Sequence, residues 1–478
     1  MKDTIQPFVA LIYIGSAIGA VFAGDMITLF AFWELTAISS VFLIWASRTE
    51  RAYRAGMRYL IIQVTSGVLL LGGIVLYYQD TGSIAFDYIG LTSLAGGLIL
   101  VAFGIKSAFP LLHNWVQDAY PEATVTGTVI LSAFTTKLAI YALARAFPGT
   151  DILIPIGGAM IILPIIYVVL ENDLRRVLAY SLNSQLGYMV IGVGIGTELA
   201  LNGTAAHVFV HIMYKSLLFM CMGAVLFRTG TVKVTELGGL YKSMPVTTVF
   251  CLIGAVSIAA FPLTGGFVSK AMIQSAALNG GLNIIWPVML FACAGIMDHS
   301  GLKVPFFTFF SKDRGIRVQE APVNMLIAMG IAAFFCIGIG VFPGLLFELL
   351  PYAPTYNPYS FGHIVSALQL LLFAVLAFML LIRFKVYPSE LRSTNLDFDW
   401  FYRVPLKRLI LAIGRLILIV WDWSLGIANH VLRYFIGIVN ETHSTGKVMA
   451  RTTASSTAVV IIVALLGVVL VFLYQFTP

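Results

Sequence analysis

The stretch "AAHVFVHIMYKSLLFMCMGAV" (205–225) sets His207, His211 and Lys215 four residues apart within an otherwise apolar run. In a helix that spacing stacks the three along one face. Histidine titrates near neutrality, and a lysine held away from water gives up its proton far more readily than one in solution. Three such groups in line suit proton transfer. Metal binding is the competing chemistry, because His-x3-His is a zinc-like spacing. It is the weaker reading: no glutamate accompanies the pair, and Lys215 is a poor neighbour for a dication.

Comparable residues recur in other apolar stretches: Glu34 in "LFAFWELTAIS", Lys106 in "GIKSAFPLLHNW", Lys137 in "LSAFTTKLAIYAL" and Lys270 in "FPLTGGFVSKAMIQ". A charge at the centre of a bilayer costs about 2.5–3.5 kcal/mol on insertion scales. Any one of them alone could be a snorkelling or locally paired side chain. Together with the histidine row they predict a polar axis through the protein. A carboxylate close to a lysine favours its charged form. Movement or neutralisation of Glu34 would therefore switch Lys106 between holding and releasing a proton.

These residues need helices to position them. The chain has 478 residues, 59% hydrophobic and 11% charged, against roughly 25% charged in soluble domains. That places it among all-α polytopic membrane proteins. About 13 spans are expected, at 6–23, 26–46, 57–78, 89–109, 123–147, 152–170, 174–196, 204–227, 246–263, 284–298, 322–349, 361–383 and 455–475. The fourth and ninth are interrupted, at Pro110 and at Pro262, Gly265 and Gly266, each with a lysine nearby, and a further piece, 265–280, continues the ninth span after its break. Lipid cannot satisfy the backbone groups that such a break frees, so interrupted helices line protein or wet cavities. Their paired occurrence points to a transport site. The breaks fall fourth in each of two five-span units, 1–150 and 151–300. Five is odd, so the second unit enters the membrane from the opposite side, as an inverted repeat. Further spans fill 301–396, and 397–478 forms the tail.

Lys and Arg cluster in alternate loops, around Arg48–Arg58, Arg175–Arg176, Arg228–Lys242, Lys303–Arg317 and Arg383–Lys385, which predicts a cytoplasmic N-terminus. The loop "HNWVQDAYPEA" carries no such cluster. For Arg175 and Arg176 a topological role is the plain explanation. Within 397–443, charges are too frequent for a comfortable span and the segment is too long for one crossing. An amphipathic helix along the interface is expected there, with a tilted span plus loop as the alternative, before the final span. Cys221, Cys251, Cys293 and Cys336 lie far apart in apolar runs, and "GVGIGTELALNG" lacks a following Lys-Ser/Thr. No cofactor, metal or catalytic residue is expected, and any redox chemistry belongs to a partner. The net charge of +7 reflects the loops rather than nucleic-acid binding.

The stretches "FAFWELTAISS", "GIKSAFPLLHNWVQDAYPEA", "FTTKLAIYAL", "DLRRVLAYSLNSQLGYM", "HVFVHIMYKSLLFMCMGA" and "FPLTGGFVSK" run in order over about 10–275. They resemble the antiporter-like subunits shared by respiratory complex I and the Mrp-type multisubunit Na+/H+ antiporters. The resemblance implies two inverted five-helix units and a central proton pathway. By motif position, Glu34 matches the family's glutamate and Lys106 its broken-helix lysine. Lys137 matches the connecting lysine, His207, His211 and Lys215 the central relay, and Lys270 the lysine of the second broken helix. Lysine at that last position resembles Mrp-type members and the distal complex I subunit, whereas other members carry glutamate. Family members carry further helices before the glutamate-bearing one. The long tail resembles the distal complex I subunit and membrane-bound hydrogenases more than Mrp D-type subunits.

The expected function is proton translocation within a multisubunit ion pump of the bacterial or archaeal plasma membrane. Its partners would be other membrane subunits and the lipid bilayer, and its ions H+ and, as a second candidate, Na+. A stand-alone solute symporter, a subunit coupled to bicarbonate uptake and a purely structural subunit are the rivals.

Overall fold

The computed structural model describes residues 5–353, 356–387, 397–447 and 454–476. They form two compact units, one up to Phe398 and one from Asp399 onward.

The first unit opens with α1 (Ile5–Val21), α2 (Met26–Trp45), α3 (Glu50–Thr81), α4 (Leu94–Lys106), the short α5 (Asn114–Ala119) and α6 (Val125–Ala146). It continues with α7 (Leu153–Leu170), α8 (Leu174–Ile195), α9 (Glu198–Thr229), α10 (Pro245–Ile258) and α11 (Gly265–Asn279). Then come α12 (Ile285–Ile296), α13 (Val323–Val341), the single turn α14 (Gly344–Phe347) and α15 (Phe361–Arg383). Side chains of Asp25, Thr49, Ser93, Thr124, Asp173 and Thr197 cap α2, α3, α4, α6, α8 and α9 by accepting free first-turn N–H groups.

Ten helices among the described residues are long and apolar enough to cross a membrane, and α1, α4 and α10 are shorter apolar helices. The 22-residue α8 falls outside that set because it carries Ser181, Asn183, Ser184 and Gln185. All four are buried against neighbouring helices, where polar groups need not meet lipid.

Three spans run further than expected. α3 covers Glu50–Thr81 rather than 57–78, so Arg51, Arg54 and Arg58, expected in a loop, lie in its first turns. α9 begins at Glu198 rather than 204: Asn202, which reads as a loop residue, exchanges hydrogen bonds with the Tyr352 backbone at 2.9 and 3.0 Å. After α12 the helix continues through two π-helical segments, Met297–Lys303 and Phe306–Phe310. Lys303 is therefore no loop cation. It is buried, and its Nζ donates to the Val168, Val169 and Glu171 carbonyls at 3.1, 2.9 and 2.8 Å, where α7 ends. Terminal carbonyls have no intrahelical donor, and a cation there also opposes the helix dipole.

The two interruptions share sequence and backbone. Each is Ala-Phe-Pro-Leu, with positive φ at Ala108 (63°) and Leu111 (72°) and at Ala260 (63°) and Leu263 (71°). Phe109 N–H donates to Gly104 O (2.9 Å) and Phe261 N–H to Val256 O (3.2 Å), the closing bond of a Schellman turn. Proline follows because it cannot continue the helix. Gly265 and Gly266, read as part of the second interruption, form the first turn of α11, the piece expected at 265–280. There a side chain on Gly266 would strike the Ser257 carbonyl. Lys106 lies before its break and Lys270 after.

Inter-loop bonds sort the connections onto two faces. On one, Asp25 bridges Ala85, Ile89 N–H reaches Ala146 O, and Gly149 N–H reaches Val193 O. On the other, the basic face, Leu174 N–H reaches Val232 O, Lys242 pairs with Asp313 at 2.9 Å, and Arg228 holds the Glu320 carbonyl. The loop without a basic cluster lies here too. Its Asp118 and Glu122 pair with Arg58 (2.6 Å) and Arg51 (2.7 Å) from the start of α3. Arg175 is buried and donates to the Ala123 and Thr124 carbonyls and the Thr128 hydroxyl, so it ties α8 to α6 in addition to marking a face.

The second unit comprises α16 (Asp399–Phe401), a π-helical turn Tyr402–Leu406, α17 (Lys407–His443) and α18 (Ala454–Phe476). At 37 residues, α17 extends about 55 Å, well beyond a hydrocarbon core of about 30 Å.

Candidate proton-transfer site

Lys106, Lys137, His207, His211, Lys215 and Lys270 are all buried inside the first unit, none more than 4% exposed, and Glu34 is half-buried on α2. From the last turn of α4, Lys106 reaches α2. Its Nζ donates to Trp33 O at 2.7 Å and Thr36 Oγ1 at 3.2 Å, and stands 4.2 Å from the Trp33 ring centroid. Trp33 is itself fixed, because its indole N–H donates to Ser66 Oγ (3.1 Å), which donates to Ala102 O (2.7 Å). No ion pair within 4 Å joins Glu34 to Lys106, although the two interact electrostatically. Glu34 Oε1 is buried without a hydrogen-bond partner and lies against Gly67, where a Cβ would overlap it.

On α6, Lys137 donates to the Ser132 carbonyl and lies within electrostatic reach of His207, His211 and Lys215 on α9. The α9 row is supported from α8 and α11. His207 Nδ1 is 2.9 Å from Ser269 Oγ, and its Nε2 is 3.1 Å from Gln185 Oε1, which also accepts from Tyr214 OH at 3.1 Å. The His207 and His211 ring centroids lie 6.1 Å apart. Lys270, just past the second break, donates to Ile258 O across that break at 2.7 Å and stands 5.3 Å from the Tyr188 ring.

Several of these groups lack a protein partner: both ring nitrogens of His211, Lys215 Nζ, Asn183 Oδ1 and Gln185 Nε2. A buried donor or acceptor left unpaired costs about 1–3 kcal/mol. So many orphaned atoms on facing helices call for water among them, and buried water bridges polar groups of this kind. Titratable groups joined by water can pass protons. A metal has less to bind, because both nitrogens of His207 are already engaged. Among the described residues no group of three or more His, Cys, Asp or Glu could hold an ion.

Trp33, Thr36, Gln185 and Ser269 do not stand out as site residues in the sequence. The signal for Gln185 was the polar run "SLNSQ" inside a span-length segment; for a backbone carbonyl such as that of Trp33 there was none.

A helical membrane unit with two matching interruptions and a buried row of lysines and histidines defines an antiporter-like transport protein. Residues 23–298 match the family described as "NADH:quinone oxidoreductase/Mrp antiporter, TM", more than half of the chain, and the chain belongs to that family. It is 30% identical over 346 residues to the D-type Na(+)/H(+) antiporter subunit of Alkalihalophilus pseudofirmus, covering 66% of this chain and 70% of that one. To hydrogenase-4 component B of Escherichia coli it is 28% identical, covering 67% of this chain and 55% of that one. Its fold is shared with a chain of the Mrp complex from a Dietzia species, with TM-score 0.67, 23% identity and coverage of 78% and 79%.

Proposed function

We propose that this chain moves protons across a plasma membrane along the buried row, as one subunit of a larger ion pump. Glu34 sets the charge on Lys106. Lys137 hands protons to Lys215, His211 and His207, and Lys270 exchanges them with the face opposite the basic loops. By the positive-inside rule the basic face is cytoplasmic, and so is the N-terminus. The two five-helix units act as inverted repeats, each with an Ala-Phe-Pro-Leu break. The driving force comes from partner subunits, as a redox reaction or an opposing Na+ gradient. α17 lies along the membrane surface, since its length exceeds a crossing.

One observation carries this reading: seven ionisable side chains from α2, α4, α6, α9 and α11 turn inward, and orphaned polar atoms lie among those on α9. The test is Glu34→Gln and Lys106→Ala in membranes containing the assembled complex. Loss of ion translocation in both, with assembly intact, supports the relay. Normal translocation in both removes it. A symporter acting alone would transport solute from this chain by itself in liposomes.

A further inference from the structure

The helix that follows α12 carries titratable groups that the relay above does not use. Within its first π-helical segment, His299 and Ser300 are fully buried. A π-helical turn widens the helix at the cost of regular hydrogen bonding, and such turns occur often at functional positions. His299 Nδ1 is 2.8 Å from Ser300 Oγ, and Ser300 Oγ donates to Ser181 Oγ of α8 at 2.7 Å. With the Ser300 proton directed at Ser181, Ser300 accepts from Nδ1–H, and Nε2 is left as a bare lone pair. That Nε2 is buried without a hydrogen-bond partner. Lys215 Nζ, equally buried, also has none, and His299 lies within electrostatic reach of Lys215, Lys270 and Lys303.

α8 connects this cluster to the histidine row. Ser181 and Gln185 are one helical turn apart on one face. Ser181 meets Ser300, and Gln185 meets His207. In the two-unit reading, His299 lies on the fifth helix of the second unit, the counterpart of the helix that carries Lys137 in the first.

We propose that His299 is a further proton carrier of the second unit, passing protons between Lys215 and the Ser300–Ser181 hydroxyl pair. This rests on the relay reading above. The Lys215 ammonium gives a proton to Nε2 through water. Nδ1 then gives its proton to Ser300 as that hydroxyl passes its own to Ser181, and Ser181 in turn releases its own proton to water. One proton advances, only N–H and O–H bonds change, and no redox partner is needed.

The test compares His299→Gln, Ser181→Ala and Lys215→Ala in membrane vesicles containing the assembled complex, with proton translocation read by a pH-sensitive dye. Glutamine retains a hydrogen bond to Ser300 but cannot carry a proton. His299→Gln is expected to lower translocation at least about tenfold, in line with losing a positioned acid–base group, with assembly unchanged. Ser181→Ala leaves the imidazole in place and is expected to lower it by about threefold or more, since the ring then loses its onward hydroxyl. If Lys215→Ala is inactive while His299→Gln pumps normally, the proposal is overturned and the row stands. If Lys215→Ala pumps normally, the relay reading itself fails. Should His299→Gln not assemble, Ser181→Ala decides, and unchanged translocation there overturns the proposal.

Discussion

Lys106 donates to the backbone carbonyl of Trp33 at 2.7 Å and not to the carboxylate of Glu34, the next residue along the same helix. Neutral dipoles therefore hold the ammonium, and Glu34 acts on it only through space. A direct ion pair would lock the proton onto the lysine, whereas this arrangement lets a small movement of Glu34 change the balance. Thr36 supplies the other hydrogen bond. A hydrogen bond to a charged group is worth about 1.5–3 kcal/mol. Thr36→Val is therefore expected to slow translocation about tenfold, with Thr36→Ser near normal, measured as proton uptake by vesicles.

Gly67 fixes where Glu34 can sit. A methyl group there would overlap the carboxylate itself, whereas at Gly73 it would meet Ile99 and the α4 backbone. Gly67→Ala is expected to assemble and to resemble Glu34→Gln in translocation. Gly73→Ala is expected to lower the melting temperature instead, with no selective loss of pumping. Thermal unfolding and proton uptake measured side by side distinguish the two.

The breaks hold alanine in a left-handed conformation that costs an L-residue about 1–2 kcal/mol. Glycine at Ala260 removes that cost, and a β-branched residue raises it further. Ala260→Gly is expected to keep or raise thermal stability. Ala260→Val is expected to lower it and to displace Lys270, which donates to Ile258 across the break.

The spans, both interruptions and the family resemblance were legible because they rest on composition, on proline and on contiguous motifs. What lay outside the sequence depended on tertiary partners. Lys303 reads as a loop cation because nothing near it shows that the end of α7 offers three carbonyls. His299 is hidden for the same reason, since a helix continuing through π-helical turns has no hydrophobic period of its own. The piece at 265–280 was legible after the break, but the close approach of Gly266 to the Ser257 carbonyl was not, because it depends on how the two half-helices pack.

On the basic face, Asp313 accepts from Lys242, Arg317 and the Gly315 N–H, which holds its carboxyl well below the usual carboxylate range. A depressed folded-state value contributes stability above the ordinary carboxylate pKa, and that contribution is lost only as pH falls through the lower value. The loop around Asp313 is therefore expected to stay closed from pH 7 down to about 4. Asp313→Asn is expected to open it at every pH, seen as faster trypsin cleavage at Lys312, Arg314 or Arg317. Salt is expected to weaken the native pairing, since these charges are exposed.

Lys137 is the member of the row on α6 that lies within electrostatic reach of the α9 residues, so it tests most directly whether one route runs through both units. The measurement is proton translocation by vesicles carrying Lys137→Ala in the fully assembled complex. A continuous route requires a fall to about a tenth of the normal rate or less. Normal translocation with Lys137 removed would contradict it.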